Sequence, residues 1–146
     1  MADLIAFLRA RLDEDWKLAY ESGCGGRDDW AFDPEDPWNG PNGPREVVRR
    51  ATGGFIAVVD PDHGKYGTWN ARHIARHNPA RVLAEVDAKR RILDEVVPEM
   101  DGMTDQIHSE WGVGPIDPST YESLVLLRLL ALPYASHPDY RDEWRS

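Results

Sequence analysis

The chain has 146 residues, 26 of them acidic and 17 basic, for a formal net charge of -9. That length suits one domain with its own core, and the charge excludes general nucleic-acid binding because an anionic surface repels phosphates. Hydrophobic residues make up 41% and mean hydropathy is -0.58, so no long apolar run is available to a membrane.

The N-terminal stretch MADLIAFLRARLDEDW has no basic start or cleavage site of the secretory kind. Leu4, Ile5, Leu8, Leu12, Trp16 and Ala19 recur at steps of three and four, which predicts a first helix with Asp3 near its start. Arg9, Arg11 and Asp13 interrupt its apolar residues, so it does not span a bilayer. Ser22 to Gly26 ends it. Cys24, the single cysteine, excludes an internal disulfide and favours a reducing compartment. A soluble, cytoplasmic protein with no membrane partner is the expectation.

Residues 22–44 form a loop-rich insert of Pro, Gly, Asp and Asn, crossed by a short strand at Trp30-Ala31-Phe32. Val47-Val48 and Phe55 to Val59 flank Ala51-Thr52-Gly53-Gly54, the pattern of a β-hairpin. The unbroken apolar run of the second strand predicts burial on both its faces. Asp60 to Gly64 stops it.

The stretch RHIARHNPAR, Arg72 to Arg81, follows. Asn78-Pro79 marks a helix start, since asparagine caps and proline at the first turn gives up an amide that had no partner. Proline also disfavours a helical Asn78, so a helix through Trp69 and His77 is separate and short, and the histidines lie at a bend. The long helix after Pro79 buries Val82, Val86, Leu93 and Val97 and ends at Pro98. A second insert covers residues 101–118. Ser119-Thr120-Tyr121-Glu122 reads as a capping box before the apolar helix Leu124 to Leu132, and Ser136 to Asp139 starts a last short helix reaching Trp144. The expected fold is a single mainly helical α+β domain over residues 1–146. A small antiparallel hairpin or sheet lies between the first and the long central helix.

LIAFLRARLDEDW, HIARHNPARVLAEVDAKRRILD and LRLLALPYASHPDYRDEW together resemble a family of small uncharacterised proteins of actinobacteria and their phages, a domain of unknown function. The resemblance implies no catalytic residues. Arginine supplies 14 of the 17 basic residues, a bias of GC-rich genomes that fits such an origin.

Catalytic patterns are sparse. His73 and His77 share a helical face, and His63 with Asp60 and Asp62 lies near in sequence, so a small metal-dependent hydrolase is the alternative reading. HExxH, CxxC and GxSxG are missing from the sequence, Gly53-Gly54 lacks the lysine of a phosphate loop, and Cys24 sits beside acids that disfavour a thiolate. No cofactor is expected. Lys65 to Ile92 carries seven basic and two acidic residues, a local basic face on an acidic chain. Arg72, Arg76 and Arg81 are therefore candidates for an anion or an acidic partner surface. Trp38 and Trp111, in loops, are candidate anchors for a partner, while Trp16, Trp69 and Trp144 have core contexts. Arg128 interrupts an apolar helix and is expected either to pair with an acid such as Glu143 or to snorkel. The function expected is a non-enzymatic interaction or regulatory protein with a protein partner, encoded by a host or a phage.

Overall fold

The computed structural model describes residues 1–23, 29–32, 38–40, 43–50, 53–59, 65–112, 114, 117 and 121–145. The sequence readings at Cys24, Asp60, Asp62, His63, Ser119 and Thr120 lie outside them. In chain order the elements are α1 (Ala2–Ser22), β1 (Trp30–Phe32), β2 (Trp38–Gly40), β3 (Gly43–Arg50), β4 (Phe55–Val59), α2 (Lys65–Arg76) and α3 (Pro79–Arg91). A π-helical turn (Ile92–Val96) leads into α4 (Val97–Glu110), and α5 (Glu122–Ala131) and two short 3-10 turns complete the chain. The fold is mainly helical α+β, as the periodicities indicate. No described helix is long and apolar enough to cross a membrane.

Two compact units divide the contacts, Met1–Glu14 with Val86–Ser146 and Asp15–Glu85. The first unit is helical. Leu4, Leu8 and Leu12 of α1, Val86, Leu93, Val97, and Leu124, Leu127 and Ala131 of α5 are buried in it. Burying such a leucine is worth about 1.5–3 kcal/mol relative to exposure. The Phe7 ring meets Tyr134, His137, Tyr140 and Trp144, with centroids 4.9–6.4 Å away. These rings tie an irregular C-terminal stretch to α1. Its last helical turn begins at Asp142, later than the expected Ser136 to Asp139.

Pro98 does not end the long helix, and residues 101–110 are helix rather than insert. A proline ring collides with the carbonyl four residues earlier in a regular α-helix. Here the preceding turn is π-helical, with the Val97 amide donating to the Ile92 carbonyl, so the backbone widens just before the proline and then continues.

The second unit holds the sheet. β3 is the strand to which all the others pair, antiparallel: Phe32 and Ala57 flank Val48, and Trp38 faces Arg45. The hairpin forms as expected, with Gly53 and Gly54 at φ 96° and 90°, and the Arg50 amide donating to the Gly54 carbonyl. Burial on both faces belongs to β3 rather than β4. Val47 and Val48 are fully buried, whereas Phe55 and Val58 are exposed, since β4 pairs on one edge only. Asn78 caps α3, its Oδ1 accepting from the Arg81 amide at 2.9 Å, and Pro79 is buried behind it. Gly23 packs so close that an added Cβ would sit 2.7 Å from the Pro79 Cβ. The end of α1 and the start of α3 are thus fitted to each other by the absence of one methyl group.

Three substitutions test this account. Phe7→Ala removes the ring that four C-terminal side chains meet and is expected to cost about 3–5 kcal/mol in denaturant unfolding. Gly23→Ala should cost about 1–3 kcal/mol through overpacking against Pro79. Gly53→Ala places a side chain in left-handed backbone and should lower stability by roughly 1–2 kcal/mol.

Candidate functional site

The sequence Lys65 to Arg76 contains no acid. Its helix, α2, turns fully buried Ala71 inward and leaves Trp69 61% exposed. Trp69, Arg72, His73 and Arg76 are spaced at three and four residues, so they share one face. With Asn70 they line a cavity of about 590 Å3. The Arg72 guanidinium lies 5.6 Å from the Trp69 ring centroid and 5.8 Å from that of Phe32 in β1. Two rings hold this cation in place. Among the described residues, neither Arg72 nor Arg76 has a carboxylate within salt-bridge distance.

Most other arginines of the described chain are engaged. Arg9 meets Asp94 at 2.7 Å, Arg90 meets Asp13 at 2.5 Å, and Arg141 meets Asp3 at 2.8 Å. Arg91 bonds Glu95, a contact that holds the carboxyl below its ordinary range, and the bond to Asp3 raises Arg141 in turn. Arg81, grouped by sequence with Arg72 and Arg76, donates its Nε to Glu85 at 2.7 Å. One helical turn of spacing gives Arg81 an acid that α2 lacks.

His77 lies at the bend after α2, as expected, while His73 is in the last turn of α2 and lines the same cavity as Arg72 and Arg76. The His73 and His77 rings are 4.2 Å apart, and His77 Nδ1 is 2.9 Å from the His73 carbonyl oxygen. Both rings are exposed. His63, the third ligand of the metal alternative, lies outside the described residues, and among those described no three His, Cys, Asp or Glu side chains converge. Trp38 contributes its backbone to β2, and its side chain is also outside the description.

Trp111 caps the C-terminus of α4 and is 79% exposed. Met103 and Ile107, eight and four residues before it, are 61% and 47% exposed. The three therefore form one outward stripe. Met100, Met103, Thr104, Ile107, His108 and Glu122 enclose a cavity of about 380 Å3 beside it. Beyond that cavity, the Tyr121 hydroxyl donates to Asp105, which raises the phenol above its ordinary value, with burial second. Reading 101–118 as a loop hid this face, because the i, i+4, i+8 spacing carries meaning only on a helix. Trp16 and Trp69, expected in the core, are exposed; Trp144 is buried.

Arg128 lines a third cavity with Leu4, Asp117, Leu124, Glu143 and Trp144. Its Nε is buried without a hydrogen-bond partner, and the described ion pair of Glu143 goes to Arg141 at 3.5 Å. The expected Arg128–Glu143 bridge is a shared cavity instead.

Compared with known proteins, the chain belongs to the family of unknown function DUF6221, whose model matches residues 1–146. No curated protein and no solved structure matches it.

A partly buried guanidinium with no carboxylate partner among the described residues gives up hydration for little return. Arg128→Met, which keeps the aliphatic stem, is therefore expected to leave the melting temperature unchanged or raise it. A marked drop would mean that the charge is paired in solution.

Proposed function

We propose that this chain is a non-enzymatic interaction or regulatory protein of the cytoplasm, encoded by an actinobacterium or one of its phages, which meets a host protein through the exposed face of α4. The observation that carries this reading is the stripe Met103, Ile107 and Trp111, three large apolar side chains held in line on one helix and turned to solvent. Isolated exposed apolar residues are ordinary; an aligned set ending in a tryptophan is the composition of an interface centre. Methionine adapts its shape and tryptophan buries a large area at low entropic cost.

The surroundings specify the partner's chemistry. Glu99, Glu110 and Glu122 are exposed around this stripe and its cavity. A partner that fits carries an apolar ridge with basic residues beside it, such as an amphipathic basic helix. The acidic surface then steers association and opposes binding to nucleic acid. The exposed stripe and acidic rim support this reading over the metal-dependent alternative, which has two neighbouring imidazoles and no third described ligand.

The test compares affinity capture from actinobacterial lysate by the wild-type chain and by Ile107→Glu/Trp111→Ala. Both side chains are exposed, so the double variant should melt within a few degrees of wild type. Proteins retained by wild type, lost by the variant and released by added salt are the expected result. An identical retained set on both would remove α4 as the interface.

A further inference from the structure

We infer that the α2 face of the second unit binds a nucleoside phosphate. This goes beyond the protein interaction assigned to α4 and rests on different residues.

The anionic half of the ligand is specified by Arg72 and Arg76. Acids outnumber bases in this chain, and most described arginines have a carboxylate within salt-bridge distance, yet among the described residues these two have none and flank one cavity on a helix with no acid of its own. Planar guanidinium forks bind phosphate oxygens in pairs, with charge-assisted hydrogen bonds about twice as strong as neutral ones. Arg72 is held between Phe32 and Trp69, so less side-chain freedom is lost when it engages a ligand. The rings position the cation without neutralising it.

The planar half is specified by Trp69. More than half of its surface is exposed at the cavity, where an indole offers a stacking surface to a nucleobase. Base-on-aromatic stacking is favourable for any base, because every base has a π-face. Asn70 brings an amide that both donates and accepts, and His73 an imidazole, to the same cavity, suited to the base edge or ribose hydroxyls. Its volume of about 590 Å3 is in the range of small-ligand sites. A net charge of -9 repels an extended polyanion along its length, while a mononucleotide carries about two charges and meets chiefly the local cations.

Adenosine monophosphate, adenosine and inorganic phosphate are titrated separately into the full chain, with binding read by calorimetry and by the indole NMR signal of Trp69. The monophosphate should saturate one site and shift that signal. Arg72→Ala/Arg76→Ala should weaken it at least about tenfold, as should loss of either half of the ligand. Trp69→Phe, which keeps a smaller ring, should bind at intermediate strength, and Ile107→Glu/Trp111→Ala like wild type. No saturation at millimolar nucleotide, or unchanged binding in the double arginine variant, would overturn the site. Inorganic phosphate binding as tightly as the nucleotide would overturn the nucleoside assignment, and displacement by a far tighter single-stranded oligonucleotide would overturn it in favour of a polymer. Melting curves of each variant establish that folding is intact, since all the substituted side chains are exposed.

Discussion

Arg11 is the residue around which the helical unit is arranged. It is only 7% exposed, and a guanidinium taken out of water must be surrounded by acceptors and polarisable groups or it destabilises the fold. Glu14 accepts from Nη2 at 2.9 Å, the Phe7 ring lies 5.4 Å from the guanidinium carbon, and His137 Nε2 meets Nη1. His137 Nδ1 lies 3.8 Å from the Asp139 carboxylate. The Asp139 amide donates to the same Nδ1 at 3.1 Å. One buried cation on α1 thus meets a histidine 126 residues away in sequence. The C-terminal stretch has little regular structure of its own, so it depends on this cluster and on the Phe7 rings for its path.

In the sheet-containing unit the equivalent constraint is steric. Gly23 admits Pro79, Pro79 fixes the first turn of α3, and Asn78 caps it, so α2 must stop at Arg76 and the chain must bend. The first acid of α3, Glu85, is nine residues beyond Arg76 and is paired with Arg81 four residues before it. The bend separates an acid-free helix from an acid-bearing one. The sheet covers the other face of α2 by burying Ala71 and supplies Phe32 beside Arg72. Packing in this way leaves Arg72 beside two rings and, among the described residues, leaves both arginines of α2 without a carboxylate partner.

What was legible in the sequence follows from which signals are local. The spacing of Leu4, Leu8 and Leu12, the Asn78-Pro79 start and the paired glycines at 53 and 54 are each decided within a few residues, and each appears in the structure where the pattern places it. Pro98 misled because a proline's effect depends on the turn before it, and nothing in ILDEV announces a π-helical turn. The apolar run Phe55 to Val59 misled because burial of a strand depends on its neighbours: β3, with the shorter Val47-Val48 pair, is flanked on both edges, and β4 is not. Trp69 was assigned to the core by its helical context, although three-residue steps to Arg72 and four-residue steps to His73 already placed it on a charged face. The candidate face on α4 required knowing first that residues 101–110 are helical.

Charge distribution joins these points. An acidic chain avoids indiscriminate anion binding, and its surface arginines would ordinarily be consumed by the surplus of carboxylates, as Arg9, Arg81, Arg90, Arg91 and Arg141 are. A salt bridge fixes a guanidinium and spends its charge in the same contact. A cation–π contact fixes it and leaves the fork of donors available, because the ring interacts with the face of the guanidinium and not with its N–H edge. Arg72, between Phe32 and Trp69, is held in the second way. Arg145 and Arg141 also lie over rings, but each has a carboxylate within 4 Å, so their charge is shared. The difference between these arginines is therefore the sequence around them: acids stand beside the C-terminal pair, and none stands on α2.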